Sequence, residues 1–166
     1  KKLFIKKQLY QGNIFNQLVE DYNIAINTVF IKKSKLSELN KKFDERFNHV
    51  GDFDLMMRLS KITSFAAIPH PTAVFRAHGN NLSTTDKLGS IKELEIWLNE
   101  NKDDLSSANI KHLQKRIDTR KIIYFKFNNM YLGAIKLLFK KKENLTFKNL
   151  AIAIIPSFIL RKILWY

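Results

Sequence analysis

Residues 22–34, YNIAINTVFIKKS, decide the fold class read from this sequence. From Tyr22 to Ile31 the β-branched and aromatic side chains predominate, a composition that fits a buried strand. Upstream, Leu9–Glu20 carries Leu9, Ile14, Phe15 and Leu18 at helix-like spacing. Downstream, Ser34 is placed to cap a short helix reaching Leu39. KKFDERFNHV (41–50) then reads as a loop, and GDFDLMMRLSK (51–61) as a helix with little polar surface apart from Asp52, Asp54 and Arg58. A strand set among helices predicts an α/β fold for this part of the chain.

Further on, SFAAIPHPTAVFRAH (64–78) is extended by composition, its Pro69 and Pro71 suiting an edge or a bend. GNNLST (79–84) is a loop. From Thr85 the pattern turns helical: TDKLGSIKELEIWLNEN (85–101) predicts one amphipathic helix, and a longer one runs from Ser107 into the 130s. The last stretch, NLAIAIIPSFILRKILWY (149–166), is apolar apart from Ser157, Arg161 and Lys162, and Pro156 should kink any helix there.

Charge divides the chain in the same way. Residues 1–110 carry 16 basic and 13 acidic side chains, whereas residues 111–166 carry 13 basic and only 2 acidic ones. Most of the net charge of +14 therefore lies in a basic, apolar tail. That tail fits a helix lying on an anionic membrane surface, or one packed on its own domain. No segment offers the ~20 uninterrupted apolar residues that a membrane-spanning helix needs. The chain has no cysteine, which excludes disulfides, zinc–thiolate sites and thiol nucleophiles. The opening KKLFIKKQLY has too short an apolar run for a signal peptide and reads as a cut inside a longer chain.

Three pieces carry the chemistry: FDERF at 43–47, GDFDLMMRL at 51–59 and VFRAHGNNLS at 74–83. In this order and after a β-branched strand, they resemble family 2 glycosyltransferases, whose members have a "GFDE" turn, an "EDxDLxLRL" helix and a "YRxHxxNxS" stretch. The resemblance covers roughly residues 22–83. It implies the C-terminal, acceptor-side part of a GT-A type fold (residues 1–83), followed by a helical C-terminal extension (84–166). The nucleotide-binding part and the aspartate-rich metal motif would lie upstream, so the fragment alone is expected to be inactive.

By that resemblance Asp52 occupies the place of the catalytic base, which takes the proton of the acceptor hydroxyl as it attacks the anomeric carbon. Read by itself, Asp52 is more readily a helix-cap aspartate, and it is the resemblance that turns the reading to a base. His78 matches a histidine that ligates a divalent metal, manganese or magnesium, completed by residues outside the fragment; a lone loop histidine is otherwise a surface residue. Arg76, Asn81 and Ser83 accompany it as substrate-binding or site-supporting residues, Arg76 facing either phosphate or an acidic core residue. Asp54 and Arg58 are read as site-supporting, Arg58 as an ion-pair partner. His49, His70 and His112 match nothing in the family pattern. The sequence departs from that pattern at Gly51, where an acid is usual, and at Lys42, where a glycine is usual.

The resemblance implies an inverting transfer from a nucleotide-sugar donor to a glycan or lipid-linked acceptor, in cell-surface polysaccharide synthesis. It also implies a cytoplasmic protein, peripheral on the inner face of the plasma membrane. A non-catalytic membrane-surface or scaffold domain is the alternative. Nucleic acid is not an expected partner, because the basic residues of 111–166 alternate with long aliphatic runs and no recognition motif is present.

Overall fold

Helix α3, Gly51–Ile62, is the element around which the first part of the chain packs. Phe53, Leu55, Met56, Met57 and Leu59 are all buried, so the helix is apolar nearly all round, as an interior helix must be. Two short helices pack on it: α1, Phe15–Glu20, through which Leu18 and Val19 are buried, and α2, Lys33–Ser37. These relations come from a computed structural model that describes residues 9–74, 85–140, 147–157 and 159. The chain divides into two compact units, Lys1–Asp86 and Lys87–Tyr166.

The α/β fold of GT-A type expected from the sequence is not what the chain adopts. Helix accounts for 62% of the described residues, which contain no β-strand. The Tyr22–Ile31 segment, expected as a buried strand, is broken by a 3₁₀ turn at Ile26–Thr28, where Thr28 donates from both its amide and its hydroxyl to the Ala25 carbonyl. Phe30 is 89% exposed. The physical reason is that β-branched composition only makes a strand favourable; its backbone groups still need a neighbouring strand to pair with. Among the described residues the extended backbone makes a single antiparallel bridge, Gly12 with Phe65, with N–H···O distances of 2.7 and 2.9 Å. Gly12 has φ +81° there, a conformation that other L-residues rarely adopt. Without a partner strand, Thr28 bonds locally instead.

Among its described residues the second unit has four α-helices: α4, Lys87–Glu100; α5, Ser107–Phe127; α6, Tyr131–Lys140; and α7, Phe147–Ile154. Helix α5 is central and packs against the other three. Helix α4 buries Ile91, Leu94, Trp97 and Leu98, a stripe at helical spacing, and its Glu95 accepts from Lys121 of α5 at 2.5 Å. Ser106 caps α5 by accepting from the Asn109 amide at 3.2 Å. Ile122, Ala134 and Ile152, from α5, α6 and α7, form one apolar cluster with Phe125, Leu137, Leu138 and Ile155 against it.

The helix expected to continue from Ser107 into the 130s stops at Phe127. Asn129 takes φ 60°; its amide donates to the Lys126 carbonyl at 3.2 Å, and the Met130 amide donates to the Phe125 carbonyl at 2.7 Å. This is the Schellman pattern of helix termination, with asparagine in the left-handed position that glycine usually fills.

Lys126 then joins α5 to the end of α7. Only 3% exposed, its ammonium donates to the carbonyls of Ile152 at 2.9 Å and Ala153 at 2.7 Å, and to that of Ile155. Ile152 and Ala153 lie in the last turn of α7 and Ile155 just beyond its end, so the cation meets carbonyls at the negative end of the helix dipole, where the helix supplies no further donors. Burial pushes the Lys126 ammonium below its ordinary pKa.

Candidate functional site

Helix α3 carries three of the seven residues singled out by sequence, Asp52 and Asp54 in its first turn and Arg58 further along. Its first-turn amides have no partners within the helix, and the Asp52 carboxylate takes up one of them, accepting from the Phe53 N–H at 2.7 Å. Asp52 is half-buried, on the one helix of this unit that is otherwise almost wholly enclosed. Its second carboxylate oxygen has no hydrogen-bond partner among the described residues.

Asp54, two residues on, is in a different situation. It is buried, and its Oδ2 accepts from Arg58 Nε at 3.0 Å and Nη2 at 2.7 Å. The spacing of four residues puts the two side chains on one face of the helix. The same guanidinium donates to the carbonyls of Lys41 at 2.5 Å and Lys42 at 2.7 Å. Asp54 and Arg58 thus form a bracket that fastens the 41–42 loop to α3. These bonds engage four of the five guanidinium N–H groups of Arg58, and the pair braces the helix against the loop.

The loop so fastened carries its own buried acid. Asp44 accepts from Arg46 Nη2 at 2.8 Å and Lys41 Nζ at 2.8 Å, and its Oδ1 from the Arg46 amide at 3.2 Å. The Arg46 guanidinium first and the Lys41 ammonium second hold the Asp44 carboxyl well below the usual carboxylate range. Asp44 is therefore a turn-forming ion-pair centre.

Immediately before α3, the His49 imidazole is buried and its Nε2 lies 2.9 Å from Asp86 Oδ2. Sequence reasoning assigned no role to this pair. Thirty-seven positions separate the partners, so no local pattern marks them. His70 and His112 are exposed.

At Gly51, a buried position where the family pattern has an acid, the backbone leaves room for a Cβ. A Cβ there would meet the Phe47 Cβ at 3.8 Å and the Phe43 ring at 3.9 Å, ordinary van der Waals contacts. Arg76, His78, Asn81 and Ser83 lie outside the described residues. Among the described residues no group of three His, Asp or Glu side chains is arranged to hold a metal ion, so they do not by themselves fit a complete divalent-cation site. What the arrangement offers chemically among the described residues is a half-buried carboxylate at a helix N-terminus, on a helix tied to the 41–42 loop through the Asp54–Arg58 pair. No family model, curated protein or solved structure matches this chain.

Proposed function

We propose that this chain supplies the acceptor-activating part of an inverting glycosyltransferase, with Asp52 as the base. The proposal concerns the reaction and does not call on an α/β fold. The observation that carries it is the contrast inside one motif: Asp54 is neutralised by Arg58, whereas Asp52 is half-buried and keeps one oxygen without a partner among the described residues. A carboxylate so placed can accept the acceptor hydroxyl's proton while the hydroxyl oxygen bonds to the anomeric carbon and the nucleoside diphosphate departs with the electrons of the broken C–O bond.

The ordered motifs at 43–47, 51–59 and 74–83 support the same reading. Under it the intact enzyme moves a sugar from a nucleotide-sugar donor to a glycan or lipid-linked acceptor in cell-surface polysaccharide synthesis. It works in the cytoplasm, peripheral on the inner face of the plasma membrane. A divalent cation, manganese or magnesium, belongs to the proposal with His78 as its ligand from this chain, and would stabilise charge on the leaving diphosphate. Arg76, Asn81 and Ser83 belong to the proposal as residues lining that part of the site.

The test uses the intact gene product with a panel of nucleotide sugars, following nucleoside diphosphate release. Release by the wild type that falls by at least ~100-fold in Asp52→Asn is the expected result, in line with loss of a general base. Release unchanged by that substitution would remove Asp52 from the role. No release from any donor would leave the non-catalytic membrane-surface reading ahead.

A further inference from the structure

Helix α6 has two apolar faces, and the second unit's core accounts for only one of them. Ala134, Leu137 and Leu138 belong to the cluster shared with α5 and α7. Leu132, Ile135 and Phe139 follow one another at intervals of three and four, hence on one face of the helix, and they are exposed: Leu132 by 74% and Phe139 by 70%. Tyr131 is exposed on the same helix, and Ile154 is exposed on α7. Lys136 is exposed, three residues from Phe139 and four from Leu132, and so borders that stripe.

The charge of the stretch of sequence that bears the stripe points to its occupant. Residues 111–166 hold 13 basic and 2 acidic side chains. The one acid among them that is described, Asp118, is 3% exposed and accepts from Gln114, so it presents no negative charge at the surface. A second copy of the chain would bring two such basic stretches together and be repelled. We infer that the Leu132–Ile135–Phe139 face of α6 docks on an anionic lipid surface, the apolar side chains entering the headgroup boundary and Lys136 pairing with lipid phosphate. No helix among the described residues is long and apolar enough to cross a membrane, so the contact is with the surface. This gives the membrane part of the proposed function a definite face. It stands apart from sugar transfer, because its readout is lipid partitioning and needs no turnover.

The experiment is co-sedimentation of the 166-residue chain with vesicles of phosphatidylcholine alone, or with about 30 mol% phosphatidylglycerol. Binding to the anionic vesicles, at least ~10-fold tighter than to the neutral ones, is the expected result. The double substitution Leu132→Ser with Phe139→Ser should weaken it by ~10-fold or more. Lys136→Glu should weaken it by several-fold, and circular dichroism should stay unchanged for both variants since all three side chains are exposed. Anionic-vesicle binding indifferent to both variants, or no binding at all, would overturn the inference. So would a concentration-dependent dimer that the double variant dissolves, which would assign the face to a second copy.

Discussion

Asp44 is a buried carboxylate with Arg46 and Lys41 both donating to it, and the consequence is a stability that depends on pH in a definable window. An unfolded aspartate takes up its proton near pH ~4, while the folded Asp44 does so only at lower pH. On acidification the unfolded chain therefore binds the proton first. The contribution of Asp44 is complete above about pH 4 and fades as the pH falls from there through the depressed folded value. Asp44→Asn is expected to lower the melting temperature at about pH 7 and equally at about pH 5, with the gap to wild type narrowing below about pH 4. A gap that stays constant into strong acid would mean that the pairing does not set the loop's stability. The same residues show what sequence can reveal at this scale. Asp44 with its neighbours, and Asp54 with Arg58 four residues on, are local spacings readable along the chain. His49 with Asp86 is not, since only the folded path brings the two together.

Helices are legible wherever apolar spacing and end signals coincide. The helix expected over Gly51–Lys61 is present as Gly51–Ile62, and the one expected over 85–101 as Lys87–Glu100. The strand expected at Tyr22–Ile31 fails because composition reports side-chain preference, whereas pairing depends on backbone that the segment does not itself contain. The break after Phe127 escapes a sequence reading because asparagine, a weaker left-handed signal than glycine, holds the turn at Asn129. Lys126 escapes it as well: within IIYFKFNNM it looks like a lone surface cation, yet it caps α7 from inside. Two effects oppose there, the cost of burying an ammonium and the gain from satisfying three carbonyls. Because the carbonyls would be left without donors, Lys126→Met should destabilise the second unit by ~1–3 kcal/mol. That corresponds to a fall in melting temperature of several degrees, measurable by circular dichroism. A melting temperature equal to or above wild type would show that the cost of burying the ammonium outweighs the bonds it makes.

Taken as a whole, the chain should not unfold as one unit. The first unit relies on α1 and α2, helices of 6 and 5 residues that are too short to persist without α3 between them. The second has helices of 14 and 21 residues, with its own apolar cluster and with the Glu95–Lys121 pair and the Lys126 cap all internal to it. At about 80 residues it is also long enough to bury a core of its own. Residues 87–166 expressed alone are therefore expected to keep a helical circular dichroism spectrum and to melt cooperatively. Lys126→Met should lower that melting temperature by as much as it does in the full chain. Agreement between the two contexts would place the energetic boundary where the backbone divides, between Asp86 and Lys87. A spectrum of unfolded chain from the isolated segment would instead mean that its core is completed by the first unit, and the separation would be one of geometry without independent stability.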